Sequence, residues 1–170
     1  MRIEIKDKEH WLEMRRQAIN STESSVFFDM NPYMTKLQLY YDKTGLEEHT
    51  VSNSRLAYGS KLEAAIAEMA SDGIKAKSYR DTAYYRHDVY PYIGTSIDFI
   101  INEVADDSIY ADTFKRLGNG ILEIKNVDYS VYKRSWEEDE ATPHIELQVQ
   151  HQMEVTGLNW CIIAALVGGN

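Results

Sequence analysis

Gly120-Ile121-Leu122-Glu123-Ile124-Lys125 reads as a β-strand with its chemistry on one side. It is short, rich in Ile and Leu, and opens after the turn Gly118-Asn119-Gly120. Side chains alternate along a strand, so Glu123 and Lys125 share one face while Leu122 and Ile124 fill the other. A lone acid lies upstream, Asp98, inside the apolar run Thr95-Ser96-Ile97-Asp98-Phe99-Ile100-Ile101. If the two strands are neighbours, two carboxylates and an ammonium converge at one spot. A hard divalent cation takes oxygen ligands, and a lysine beside it can orient a water. Acid, gap, acid-x-lysine is the logic of a metal-dependent nuclease, although the bare pattern also arises by chance on solvated strand faces.

The rest of the chain supplies a mixed α/β context. Trp11–Arg16 starts a short helix, and the polar patch Asn20–Ser25 is an N-cap region for a second. Asn31-Pro32-Tyr33 marks a turn. Thr35 to Lys43 carries Leu and Tyr at helical spacing and stops at Gly45. Ser54 to Ala70 is the clearest long helix, with Leu62, Ile66 and Met69 on one face and Glu63 at its margin. Strands are expected at Tyr79–His87, Ser96–Val104 and Ile121–Val127, with a break at Tyr90-Pro91-Tyr92. Thr142-Pro143 opens a helix with Ile145, Val149 and Met153 on one face, ending near Gly157. Trp160 to Val167 is wholly apolar and reads as a buried central strand.

Composition narrows the class. At 170 residues, 44% hydrophobic and 26% charged, the chain suits one globular domain with its own core. Its single cysteine, Cys161, excludes a disulfide framework and a cysteine-rich metal site, and its apolar setting reads as an inert thiol. No signal-peptide core is visible and the longest apolar stretch is too short to cross a bilayer, so a cytoplasmic protein is expected. The net charge of −9 counts against nucleic acid as a partner. Arg15-Arg16, Lys75, Lys77 and Lys133-Arg134 are the basic groups that could touch phosphate, and Glu137-Glu138-Asp139-Glu140 is the main acidic cluster. The five histidines show no ligand spacing, and no Gly-rich phosphate loop is present.

Several motifs in order resemble the YqaJ-type viral recombinase family, the phage-lambda-exonuclease-like branch of the PD-(D/E)xK nucleases. They are Trp11-x-x-x-Arg15-Arg16, Ile19-Asn20-Ser21-Thr22-Glu23, Asn31-Pro32-Tyr33-Met34-Thr35 and Leu39-Tyr40-Tyr41-Asp42-Lys43-Thr44-Gly45. Tyr58-Gly59-Ser60-Lys61-Leu62-Glu63, Tyr90-Pro91-Tyr92 before Ser96-Ile97-Asp98, Leu122-Glu123-Ile124-Lys125 and Gln148-Val149-Gln150-His151-Gln152-Met153 follow. Ile97 departs from the proline often found before the acid.

The resemblance implies a PD-(D/E)xK core, a central mixed β-sheet flanked by helices. It implies Asp98, Glu123, the Ile124 carbonyl and Glu63 as the Mg²⁺ site, with Mn²⁺ able to substitute. Lys125 would activate the attacking water and Gln148 would orient the water or the scissile phosphate. Arg15, Thr22 and Ser96 match positions that hold a terminal 5′-phosphate. Plainer roles stand beside these: a solvated glutamate for Glu63, a surface arginine for Arg15, a helix cap for Thr22 and a surface glutamine for Gln148. Gln150 and Gln152 are expected to be exposed.

The implied activity is 5′→3′ exonuclease action on one strand of double-stranded DNA, releasing 5′-mononucleotides in phage-type homologous recombination. The implied partners are duplex ends, a single-strand annealing protein and two further copies in a ring-shaped trimer, with no membrane. Family members continue past Gly168-Gly169-Asn170, so residues 1–170 would be a single nuclease domain lacking the C-terminal strand and helices. A structure-specific or restriction-like endonuclease of the same fold, or a non-catalytic DNA-end-binding protein, is the alternative.

Overall fold

The computed structural model describes residues 1–46, 54–136 and 140–169, with side chains left aside at 54–61. The chain begins β1 (Arg2–Ile3), α1 (Lys8–Arg16), β2 (Ile19–Asn20), a 3₁₀ helix (Ser21–Phe28), α2 (Lys36–Thr44) and α3 (Ser54–Gly73). It continues β3 (Ala76–Arg80), β4 (Tyr84–Arg86), β5 (Ile93–Thr95), β6 (Phe99–Val104) and α4 (Ala111–Leu117). It ends β7 (Gly120–Val127), α5 (Tyr129–Ser135), α6 (Pro143–Thr156) and β8 (Cys161–Val167). The chain divides into two compact units. The first comprises Met1–Val51, Thr82–Ser96 and Thr142–Gly157; the second comprises Ser52–Asp81, Ile97–Ala141 and Leu158–Asn170.

The first unit owes its helices to caps. Asp7 Oδ1 accepts from the His10 N–H at 2.8 Å at the start of α1, whose last turn carries Arg15 and Arg16. Asn20 and Glu23 form a capping box for the 3₁₀ helix, and Thr35 with Gln38 forms another for α2. Gly45 and Gly157 end α2 and α6 in the left-handed conformation, at φ 71° and 76°. The Asn31 side chain accepts from the Tyr33 and Met34 N–H groups, which makes the expected turn at Pro32. A sheet in the order β1-β4-β5-β2, antiparallel except for β5 with β2, lies against α6. Tyr84 is fully buried there, whereas Tyr40, Tyr90 and Tyr92 are exposed.

The second unit carries a mixed sheet in the order β3-β6-β7-β8, antiparallel except for β7 with β8. Ile66, Ala67, Phe99, Ile101, Leu122, Ile124 and Trp160 form its buried cluster. Fully burying an aliphatic side chain of this size is worth about 1.5–3 kcal/mol, so α3 is held by packing more than by propensity. Trp160 donates from Nε1 to the Gly118 carbonyl at 2.8 Å and lies so close to Gly120 that a Cβ there would meet its ring at 2.3 Å.

Four expectations are corrected here. The run Ser96–Val104 is not one strand: β5 ends at Thr95, Asp98 sits in a bend, and β6 begins at Phe99 in the other sheet. Tyr79–His87 is likewise split between β3 and β4. The buried face of α3 is Ile66 and Ala67, while Leu62 is 39% and Met69 is 55% exposed. β8 ends the order of the sheet instead of lying inside it, and its residues are half-buried. Helices α4 and α5 were not expected at all; α4 is too short for a periodic signal. The acidic residues 137–139 and the side chains of the Tyr58-Gly59-Ser60-Lys61 motif lie outside the described residues.

Candidate active site

The acidic pair lies in the second unit. β6 pairs antiparallel with β7 in the register Phe99 opposite Leu122, so Asp98 falls at the position facing Glu123. The Asp98 Oδ2 accepts the Ile124 N–H at 2.9 Å, which pins the carboxylate to the strand carrying Glu123. Glu123 is buried, 2% exposed, on the face opposite Leu122 and Ile124. Lys125 projects on the same side and its Nζ donates to Glu123 Oε1 at 2.6 Å. The strand alternation read from the sequence therefore places three of the expected groups together.

The electrostatics of this spot are unusual. Burial and then the negative charge of Glu123 push the Asp98 carboxyl up to about 7; the Ile124 N–H and Lys125 pull the other way. The Cys161 thiol is pushed up to about 12 by burial first and Glu123 second, which keeps it protonated and unreactive. Two carboxylates that resist joint ionisation are what a divalent cation relieves. Among the described residues no group of three His, Cys, Asp or Glu side chains is placed to hold a metal. What the site offers a cation is two adjacent carboxylates, Asp98 and Glu123, both hard oxygen donors. That set fits a cation such as Mg²⁺, which keeps several waters and needs few protein ligands.

Glu63 is on α3, and its carboxylate accepts from Arg80 Nη1 at 2.9 Å. Arg80, which the sequence reading did not single out, lies on β3 with its guanidinium 4.9 Å from the Phe99 ring centroid. Glu63 adds to the negative charge felt by Asp98, but its oxygen is engaged by Arg80.

The residues expected to hold a 5′-phosphate lie in the first unit. Arg15 Nη2 donates to Thr22 Oγ1 at 3.1 Å and its guanidinium covers the Trp11 ring at 4.8 Å. Trp11 Nε1 donates to Ser96 Oγ at 2.9 Å. One indole thus links the arginine to the second hydroxyl, which brings Arg15, Thr22 and Ser96 into one cluster. Beside it the buried Glu23 takes Lys43 at 2.8 Å and Arg15 at 3.6 Å. Burial lowers the Lys43 pKa, and Glu23 opposes that shift. The capping spacing Asn20-x-x-Glu23 is the sequence signal for Glu23, and no local spacing marks Lys43.

Gln148 lies on α6 in the first unit and is buried, 8% exposed. Gln150 is exposed as expected, but Gln152 is buried at 1%, because α6 presents it and Val149 together to the interior. The histidines are hydrogen-bonded: His151 Nε2 to the Gly94 carbonyl at 3.0 Å, His87 to Glu154 at 3.1 Å.

A mixed sheet with an acid beside one strand and Glu-x-Lys on the next defines the PD-(D/E)xK fold class. Within it, the chain belongs to the YqaJ-like viral recombinase domain family, whose model matches residues 10–159. It is 32% identical over 168 residues to the uncharacterised protein YqaJ of Bacillus subtilis strain 168, covering 96% of this chain and 47% of that protein. It is 29% identical over 161 residues to the uncharacterised protein R354 of Acanthamoeba polyphaga mimivirus, covering 94% of this chain and 28% of that one. The chain therefore spans half or less of the length of these relatives. Its fold is similar to the crystal structure of LHK-Exo in complex with dAMP, with TM-score 0.67 and 17% identity over 93% of this chain and 73% of the other. It is also similar to the crystal structure of an alkaline exonuclease, LHK-Exo, from Laribacter hongkongensis, with TM-score 0.66 and 18% identity over 94% and 74%. No described helix is long and apolar enough to cross a membrane.

Proposed function

We propose that this chain is the nuclease domain of a metal-dependent exonuclease acting on ends of double-stranded DNA. The observation that carries the reading is the Asp98–Ile124–Glu123–Lys125 cluster, where a carboxyl held up to about 7 faces a second buried carboxylate and a lysine. The family supports it, as does the fold shared with an alkaline exonuclease.

A Mg²⁺ or Mn²⁺ ion held there would supply positive charge against the scissile phosphate. Asp98, Glu123 and the Ile124 carbonyl would hold that ion, and Glu63, which Arg80 engages, would complete the site. Lys125 orients the attacking water with its ammonium hydrogens. The water oxygen bonds to phosphorus as the P–O3′ bond breaks, its proton passing through solvent to the departing O3′, which releases a 5′-mononucleotide with a 3′-hydroxyl and leaves a new 5′-phosphate on the shortened strand. Arg15, Thr22 and Ser96 bind that phosphate, which makes the direction of digestion 5′→3′, and Gln148 orients water or phosphate. The remaining 3′ strand passes to a single-strand annealing protein, and the enzyme works as a homotrimer in the cytoplasm.

The test is digestion of end-labelled linear DNA and covalently closed circles with Mg²⁺ or with EDTA. Loss of the linear substrate in Mg²⁺ alone, with circles intact, is the expected result. Cut circles would replace the exonuclease by an endonuclease.

A further inference from the structure

We propose that Lys43 is a positioning residue for the 5′-phosphate pocket, acting by taking up the charge of Glu23 that would otherwise neutralise Arg15. The inference rests on Arg15, Thr22 and Ser96 receiving a terminal phosphate, and it assigns a function to two residues outside that set.

The geometry links Lys43 to Arg15 twice. Its Nζ donates to the Arg15 backbone carbonyl at 2.8 Å, capping the C-terminal end of α1 where the macrodipole favours a cation. The same Nζ reaches both oxygens of Glu23, at 2.9 and 2.8 Å, while Arg15 Nη2 stands off at 3.6 Å. Glu23 is fixed by its own helix: its carboxylate accepts from the Asn20 N–H at 2.9 Å and from the Asn20 amide at 3.1 and 3.2 Å. It cannot turn away from Arg15.

Burial then ranks the three charges. The Glu23 side chain is 8% exposed, Lys43 15% and Arg15 23%, so the guanidinium is the member that faces incoming anions. Within this triad two cations face one carboxylate, with Asp42 the further acid acting on Lys43, so Glu23 does not by itself cancel the guanidinium beside the hydroxyl of Thr22. Remove Lys43, and Glu23 and Arg15 cancel. A buried carboxylate without its lysine would draw the guanidinium inward, away from Thr22, because an unpaired buried charge is costly. Lys43 thus keeps Arg15 presented outward for the phosphate instead of inward for Glu23.

The experiment compares initial rates on duplexes with 5′-phosphate and 5′-hydroxyl ends at fixed salt, for the unmodified protein and for Arg15→Ala, Lys43→Met, Lys43→Arg and Lys43→Met/Glu23→Gln. The preference for 5′-phosphate should fall about tenfold in Lys43→Met, the scale of one charge-assisted hydrogen bond, through KM more than kcat. It should be kept in Lys43→Arg and return in the double variant. Glutamine at 23 still caps Asn20 but carries no charge to neutralise Arg15. A structural prop would not be rescued by removing a second charge, so failure of the rescue would overturn the proposal. If the unmodified protein prefers 5′-phosphate, Arg15→Ala abolishes that preference and Lys43→Met keeps it, the role of Lys43 is wrong while the pocket stands. Equal rates on both ends with the unmodified protein would remove the pocket itself. Should Lys43→Met not fold, Glu23→Gln alone decides: it should bind 5′-phosphate ends more tightly, and weaker or unchanged binding would overturn the proposal.

Discussion

At the scale of single residues, Asp98 is the group whose chemistry is most out of the ordinary. Its native carboxyl holds a proton to about 7, whereas an unfolded aspartate releases it near about 4. Between those values the native state binds more protons than the unfolded state, so metal-free stability must fall as pH rises through that window. Asp98→Asn should flatten this dependence, which urea unfolding in EDTA at pH 5 and pH 8 will measure; a native-like slope in the variant would refute the shift. Asparagine can still accept the Ile124 N–H, so the same variant should fold and yet lose hydrolysis by about 10²-fold or more, as should Glu123→Gln. Turnover near that of the unmodified protein in Mg²⁺ would remove both from the metal site. Lys125→Ala should keep Mg²⁺-dependent thermal stabilisation while slowing hydrolysis by about 10²-fold. The Glu63–Arg80 pair was invisible in sequence, because α3 and β3 meet by tertiary packing and no local spacing encodes that.

At the scale of elements, capped and periodic segments were legible and interrupted ones were not. Helices α2 and α6 were found because Thr35, Gly45, Thr142-Pro143 and Gly157 are chemical stop and start signals that act locally. The strand β7 was found because alternation separates Leu122 and Ile124 from Glu123 and Lys125. The joint at Ser96–Asp98 was missed because an apolar run gives no sign that its two ends pair in different sheets. The apolar composition of β8 predicts a central strand, yet β8 ends its sheet, because composition reports burial of side chains and not the number of paired neighbours. Gly120 at the start of β7 offers a test of how tightly that edge is packed. A methyl there would enter the Trp160 ring, so Gly120→Ala should destabilise the fold by about 1–3 kcal/mol, read as a fall in thermal midpoint. An unchanged midpoint would mean that the indole moves aside at little cost.

At the scale of the whole molecule, the net charge of −9 sets how DNA can be held. Several surface cations are already matched: Lys77 with Glu103 at 2.8 Å, Arg80 with Glu63 at 2.9 Å, Lys115 with Asp106 at 2.8 Å, Lys36 with Asp29 at 2.7 Å, and Lys75 with Asp107. Such exposed pairs add little to stability, but each cancels a charge that could otherwise meet phosphate. Non-specific affinity for duplex DNA comes from counterions released per phosphate contact, with a slope of log K against log salt near −0.9 per contact. If these pairs leave little basic surface for the duplex, the chain should show a shallow slope and weak binding in EDTA. A divalent cation held by Asp98 and Glu123 would reverse the local sign there, so on the proposed reading affinity should rise with Ca²⁺ or Mg²⁺ and the rise should vanish in Asp98→Asn/Glu123→Gln. Fluorescence anisotropy of a labelled duplex across a salt series measures both quantities. A steep slope, or binding in EDTA as tight as in Ca²⁺, would show that a basic surface and not the metal site holds the DNA.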